Sequence, residues 1–320
     1  MSKASIFHLP LGQHVEPERV TGYYIDMRSK AETPSWPPEW FPFPGFHRYI
    51  AIGQWGLGCF ERYIAGEGEQ WLPPVVEAAQ HLVETQESDG AWPEPEDYPH
   101  TLRMRGPWLS GMAQGHCVSL LVRANREAPS DAFAEAARAG LRPLKVPTAD
   151  GGVEAQLDGG TFPEEYPTSP PSFVLNGAIY AVWGAYDAWR GLGDEDAGDL
   201  FGAMVETLAS NIGRYDIGYW SRYDLYPHPG FVNVASPSYH VLHINQLQAL
   251  NQLAPHPELA DAAARFERYQ ESPLNRVRSF VHKGCFRLVV PRNHTLAGRL
   301  PWLHGYHVRQ APSAADDSAS

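Results

Sequence analysis

Cysteine is scarce in this sequence, with three among 320 residues: Cys59, Cys117 and Cys285. Three thiols cannot all pair, and their spacing matches no zinc pattern, so a disulfide framework and a cysteine metal centre are excluded. They read instead as buried free thiols in a reducing compartment. Charge is also scarce: Asp, Glu, Lys and Arg together make 19%, against roughly 25% in average soluble domains. Positive charge is the scarcer sign, 25 Lys+Arg against 37 Asp+Glu for a net −12. With no basic tract, nucleic acid is not expected as a partner, because phosphate binding needs clustered cations. An anionic substrate stays open, since cations can gather locally in a cleft. No apolar run approaches the roughly 18 residues of a membrane span. The opening MSKASIFHLPLGQHVEPERV lacks the apolar stretch of a secretory leader, so a cytoplasmic protein without a membrane span is expected. A G-x-G-x-x-G strand–turn–helix unit is missing too, which argues against chemistry through a nicotinamide.

Aromatic residues are abundant: 10 Trp, 15 Tyr and 13 Phe make up 12% of the chain. A sequence so rich in rings and poor in charge buries enough surface to fold. Residues 1–47 form a distinct N-terminal stretch. Pro34, Pro37, Pro38, Pro42 and Pro44 alternate there with Trp36, Trp40, Phe41 and Phe43. Proline fixes φ and removes donors, which predicts an extended arm laying its rings on the rest of the molecule or on a partner subunit. A homodimer is compatible with that arm. From 48 to 307 apolar residues recur at helical spacing, separated by Gly, Pro and Asp turns. Helices are predicted near 47–65, 73–87, 110–127, 130–142, 172–190, 196–212, 239–253 and 257–270. Two long loops, 86–99 and 149–170, join some of them. FRLVVPR (286–292) is the best strand candidate, a hairpin is expected within 215–235, and 308–320 reads as a disordered tail.

Helices in pairs, joined alternately by short turns and long loops, predict a mostly α protein, an (α/α) toroid or barrel with few short strands. The phrase Gln86-Glu87-Ser88-Asp89-Gly90-Ala91-Trp92 supports this: Asp and Gly make a turn and Trp plugs the end of a helix pair.

Three stretches are polar where a core would be apolar. In the first, 108–124, small residues at 110, 111, 113 and 115 let a backbone or a ligand come close. Gln114 and His116 then sit near the mouth of an inner helix. In the second, 164–177, Glu164 and Glu165 precede Tyr166, and Thr168 or Ser172 can cap the following helix. Adjacent carboxylates repel, and a buried one has a raised pKa that suits general acid or base work. In the third, Ser221–His228 and Ser238–Leu247, the residues Tyr239, His243 and Gln246 share a helical face beside His240 and Asn245. That face suits a sugar- or carboxylate-binding cleft. His240 and His243 lack a third ligand, and no metal site is expected.

Together these stretches resemble the C-terminal catalytic domain of the D-glucuronyl C5-epimerase family, which converts D-glucuronate to L-iduronate within heparosan or heparan sulfate-type polymers. The phrases that carry the resemblance are MAQGHCVSLLVRA (112–124), EEYPTSPPSFVLNG (164–177), the Tyr-Asp-Leu of SRYDLYPHPG (221–230) and YHVLHINQLQAL (239–250). It extends more loosely over about 48–270, including YIAIGQWGLGCFERY. The resemblance implies an α/α-toroid catalytic domain, a glycosaminoglycan uronate polymer as partner and no cofactor. It puts the catalytic tyrosines on Tyr166, Tyr223 and Tyr239 and the acidic residue on Glu165. Where that family has Tyr-Asp-Leu-Arg, this chain has Tyr223-Asp224-Leu225-Tyr226, and Arg222 is the neighbouring cation. The β-rich domains that precede the toroid in the animal enzymes have no counterpart before the arm.

Inverting C5 removes a proton α to a carboxylate and returns one to the opposite ring face, which needs two groups across a cleft. Glu165 and Tyr239 are expected in those roles, with Tyr166 and Tyr223 orienting or assisting. A basic Tyr needs a nearby cation, since a phenol ordinarily titrates near 10; Arg222, His240 and His243 are the candidates. Gln114, Asn176, Asn245 and Gln246 are candidate donors to the uronate carboxyl, where negative charge develops. Two rivals share these residues. A polysaccharide lyase removes the same proton and then expels the C4 substituent, and a carbohydrate-binding toroid does no chemistry.

Overall fold

Two kinds of helix are distinguishable by burial, and their difference builds the fold. α3 (Gly111–Glu127) buries every residue from Gly111 to Ala124, and α5 (Leu175–Leu192) every residue from Leu175 to Ala188. Helices apolar on all sides belong inside. α2 (Leu72–Thr85), α4 (Asp131–Ala139) and α8 (Pro257–Glu271) bury single stripes, such as Leu259, Ala262, Ala263 and Phe266. Accordingly α1 (Tyr49–Ile64), α3, α5 and α7 (Pro237–Leu253) pack side by side as an inner layer. α2, α4, α6 (Glu195–Asn211) and α8 each back onto the helix before them. α9 (Pro273–Val289) closes the series against α8 and α7.

The computed structural model describes residues 9–35, 48–95, 101–102, 104–291 and 309–310. These are mostly helical with few short strands, as expected, but the inner layer is an arc: no closed barrel is present among the described residues. The small residues of α3 admit a backbone. A Cβ on Gly115 would lie 2.3 Å from the Tyr180 carbonyl oxygen, and one on Gly184 would lie 2.8 Å from the Gly115 Cα. α3 and α5 are thereby drawn together at the centre.

The predicted turn at 86–92 forms. Asp89 Oδ1 accepts from the Ala91 N–H at 2.9 Å, Gly90 has φ +92°, and buried Trp92 donates its indole N–H to the Leu82 carbonyl at 2.9 Å. Residues 9–35 run across α3 and α5 with Tyr23, Tyr24, Ile25 and Met27 buried. The wholly buried Arg123 holds them there. Its guanidinium pairs with Asp187 at 2.6 Å and donates to the Gly22 carbonyl at 3.0 Å, while Tyr24 donates to Asp187 at 2.5 Å. Trp36, Trp40, Phe41 and Phe43, on which the expected arm rests, lie outside the described residues, as do 311–320 of the expected tail.

Three expectations change. FRLVVPR is not a strand: 286–289 continue α9, which starts from Pro273 at its first position and Ser272 as its cap, accepting from the Asn275 N–H at 3.3 Å. Tertiary packing of Phe286 overrides the β propensity of the Leu-Val-Val run. The loop 149–170 contains a hairpin, β1 (Glu154–Leu157) with β2 (Gly160–Pro163), turned by Asp158 and Gly159 at φ +50° and +83°. Instead of a hairpin, 215–235 has the isolated bridges Asp216–Ser221 and Arg222–Val234. β3 (Thr168–Ser169) pairs antiparallel with β4 (Arg309–Gln310).

Candidate active site

The two adjacent carboxylates divide their labour. Glu164 ties down its own loop: it accepts from the Ser172 N–H at 3.1 Å, the Phe173 N–H at 2.8 Å and the Ser172 hydroxyl. That network holds Phe173 at φ +50°. Glu165 is left for other work. It is 3% exposed, accepts from the Asn176 amide at 3.3 Å and also hydrogen-bonds Tyr166. Its carboxyl lies on the backbone of α5 where a Cβ on Gly177 would come within 2.3 Å of Oε2. Burial pushes Glu165 up to about 8, opposed by its bonds from Tyr166 and Asn176 and reinforced by Glu164. Burial likewise raises Glu164, to about 7. A carboxyl in that range can give or take a proton near neutral pH.

Beside Glu165 lies an aromatic cluster formed by Trp108, Tyr166, Tyr223 and Tyr226, with half-buried Tyr239 packed against it. Tyr166 stacks on Trp108 with centroids 5.8 Å apart, and Tyr223 meets Tyr239 edge to face at 5.1 Å. Each tyrosine comes from a differently anchored segment. Tyr166 follows the glutamate loop. Tyr223 is clamped by its N–H to the Asn233 carbonyl at 2.7 Å and by its carbonyl to the Leu175 N–H at 3.2 Å. Tyr239 lies in the first turn of α7, where the Ser236 cap accepts its N–H at 3.4 Å. The four residues expected to do chemistry thus converge where the loop before α5 meets the start of α7.

The other expected residues divide. Asn176 holds Glu165, and Gln246 donates to the Asn176 carbonyl at 3.0 Å, which joins α7 to α5. His116 is buried against the Tyr180 ring, centroids 4.3 Å apart, and burial lowers its pKa to about 3. Gln114 is spent on the turn: its oxygen accepts from the Trp92 N–H at 2.9 Å, and its amide donates to the Gly90 and Gly140 carbonyls at 3.2 and 2.8 Å. Asn245 donates to the Leu9 carbonyl at 2.9 Å, far from the tyrosines in role. Arg222 points its Nε at the Asp224 carbonyl, 3.1 Å away, and its charge acts on Asp224 and Tyr215.

The histidines of α7 cannot serve as cations near neutral pH. His240 stacks on Trp220 at 3.7 Å, donates from Nε2 to the Phe266 carbonyl at 3.0 Å, and accepts at Nδ1 from Ser221. His243 has Nδ1 2.9 Å from the same Ser221 hydroxyl. Burial pushes them down to about 4 and about 3.

Two residues went unread in the sequence. Lys283 of α9 brings its ammonium 5.9 Å from the centre of the Tyr223 ring while donating to the Asn233 side-chain oxygen and the Val234 carbonyl, both at 2.6 Å. Asn233 in turn donates to buried Asp224 at 2.5 Å, which also accepts from His228 at 3.0 Å. The second is Tyr180, one turn after Asn176 on α5, whose fully buried hydroxyl has no hydrogen-bond partner among the described residues. Its spacing from Asn176, i to i+4 on an inner helix, was the available signal.

Residues 86–268 match the family model described as "D-glucuronyl C5-epimerase C-terminus". The chain is 31% identical to the "D-glucuronyl C5-epimerase" of Caenorhabditis elegans over 240 residues, 69% of this chain and 39% of that protein. It is also 25% identical over 214 residues to an uncharacterised protein of Methanocaldococcus jannaschii, covering 60% of this chain and 67% of that one. The chain therefore spans about two-fifths of the length of the nematode relative.

Proposed function

Because the chain belongs to the D-glucuronyl C5-epimerase family, we propose that it is a cofactor-independent uronate C5-epimerase acting within a polysaccharide, on D-glucuronate in a heparosan-like polymer. The observation that carries this reading is Glu165, a buried carboxyl bonded to Tyr166, whose ring shares one cluster with Tyr223 and Tyr239. Glu165 and Tyr239 are the opposed pair: one takes the C5 proton, the other delivers a proton to the opposite face, and the roles exchange for the reverse reaction. Tyr166, bonded to Glu165, and Tyr223, edge-on to Tyr239, hold the pair in register. Lys283 supplies the positive charge near the phenols that His240, His243 and Arg222 do not. The intermediate is an enediolate, so donors at the uronate carboxyl matter most in the transition state. The layered arc of helix pairs is, in this reading, the wall of an α/α toroid whose cleft takes the polymer.

The test is a set of non-sulfated and sulfated uronate polymers followed by proton NMR and ultraviolet absorbance. Epimerisation gives L-iduronate signals in chains of constant length. Growth of absorbance from unsaturated uronate with chain shortening would make the protein a lyase, and binding without either change would make it a carbohydrate-binding module.

A further inference from the structure

Exposed apolar side chains are concentrated in one place. Of the seven large hydrophobic side chains exposed among the described residues, six belong to α9: Leu274, Val277, Phe280, Val281, Leu288 and Val289. Ser279 and Phe286 bury the other side of that helix. At about 3.6 residues per turn, Leu274, Val277, Val281 and Leu288 fall in one stripe, at i, i+3, i+7 and i+14, facing directly away from the core, with Phe280 along its edge. The four are 57–75% exposed. Monomeric proteins rarely leave so continuous an apolar stripe in water, and one that is kept marks an interaction surface.

The flanks of the stripe decide what it meets. α9 carries Arg276, Arg278, Lys283 and Arg287 and no acidic residue. From Ser272 to Ala315 the chain has seven Lys or Arg and no Asp or Glu, although its net charge is −12. Lys283 is turned inward, where it donates to Asn233. Arg276 and Arg287 line one edge of the stripe and Arg278 the other, its guanidinium carbon 3.7 Å from the Tyr219 ring centre. A second copy packed stripe to stripe would bring like charges together along both edges, which disfavours it. An anionic lipid surface meets both demands: the acyl boundary takes the apolar side chains and the lipid phosphates take the guanidiniums. The rest of the molecule is acidic and is repelled by such a surface, so this helix is the part that approaches it.

We propose that α9 is an interfacial helix that docks this protein on an anionic lipid surface. The helix lies in the plane of the surface, with its apolar stripe in the acyl boundary and its arginines at the level of the phosphates. The docking is peripheral, as no described helix is long and apolar enough to cross a membrane. It also orients the molecule: Lys283, on the inward side of the same helix, reaches the Tyr223 ring, so the candidate site is held beside the surface. The inference does not depend on the epimerase reading.

The test is co-sedimentation of the full chain with vesicles of phosphatidylcholine alone, and of phosphatidylcholine with about one-third phosphatidylglycerol. Wild type should bind the anionic vesicles at least tenfold more tightly than the neutral ones, and the difference should shrink as salt rises. Phe280→Ser with Val281→Ser, and separately Arg276→Gln with Arg278→Gln, should each weaken binding to the anionic vesicles at least tenfold. Both pairs should leave the melting temperature close to wild type, since all four side chains are exposed. If the serine pair does not fold, Leu274→Ser with Leu288→Ser reads the same stripe. No binding to anionic vesicles would overturn the proposal: a dimer in sedimentation equilibrium that the serine pair dissociates would give the face to a second copy, and a monomer would leave the stripe without an interface role. Binding lost in the glutamine pair but kept in the serine pair would reduce it to adsorption by charge and overturn it as well.

Discussion

Replacing Glu165 by Gln isolates the carboxyl that the dry site keeps protonated. The ordinary Glu value is 4.5, and burial raises Glu165 to about 8. Below pH 4.5 the folded and unfolded chains both hold this proton, so stability is unaffected by it. Between 4.5 and about 8 the unfolded chain gives it up and the folded chain does not, so stability falls as pH rises. Above about 8 both have lost it and the loss is complete. The gap of 3.5 pH corresponds to about 5 kcal/mol at ~1.4 kcal/mol per tenfold. A Gln amide in the same site gives back about 1–2 kcal/mol, because its own polar atoms need partners. That cost is the same at every pH, so it offsets the Glu165→Gln curve without changing its slope, and the variant should gain roughly 4 kcal/mol relative to wild type between pH 5 and pH 8.5 while losing the proposed epimerase activity. Urea unfolding of both proteins at half-unit pH intervals reads this directly. Parallel stability curves would refute the placement of a protonated Glu165 in a water-free site.

Gly177→Ala sets about 1 kcal/mol of helix propensity against a methyl 2.3 Å from Glu165 Oε2. Overpacking costs about 1–3 kcal/mol, so calorimetry should show little or modest destabilisation and kinetics a loss of roughly 100-fold or more, as the carboxyl is displaced. Gln114→Ala strands the Trp92 N–H and the Gly140 carbonyl, while the Gly90 carbonyl keeps its bond from the Gln86 amide; chemical unfolding should show a loss of about 2–4 kcal/mol, with turnover per folded molecule retained. Arg222→Ala should leave kcat within about threefold, whereas Lys283→Met, which removes the cation above Tyr223, should cut it roughly tenfold or more; the reverse order would return the electrostatic role to Arg222.

Eight of the described helices were legible because apolar periodicity is a local signal; the structure adds Ser110 and Ser236 as caps and Pro237 and Pro257 at first positions. α9 was not, although Ser272-Pro273 offers the same start, because Leu288-Val289-Val290 reads as strand when only neighbours in sequence are weighed. The β1–β2 hairpin was announced by Asp158-Gly159, whose positive φ angles suit a two-residue turn, but the surrounding Gly and Pro masked it as loop. At the site, Tyr166, Tyr223 and Tyr239 share one cluster and Glu165 bonds to Tyr166; these four were legible because each lies in a phrase that the family resemblance marks by itself. The roles of Gln114, Asn245 and Lys283 depend on partners 22 to 236 residues away, and no local pattern encodes those.

The central claim is that Tyr239 and Glu165 exchange protons with C5 from opposite faces. The measurement that reaches it most directly is deuterium incorporation at C5 of an intact uronate polymer incubated in heavy water with wild type and with Tyr239→Phe, which keeps the ring against Tyr223 and deletes the transferable proton. The account predicts deuterium in the wild-type product, in both D-glucuronate and L-iduronate residues and at constant chain length, and little or none with the variant. Exchange at the wild-type rate in Tyr239→Phe would contradict it.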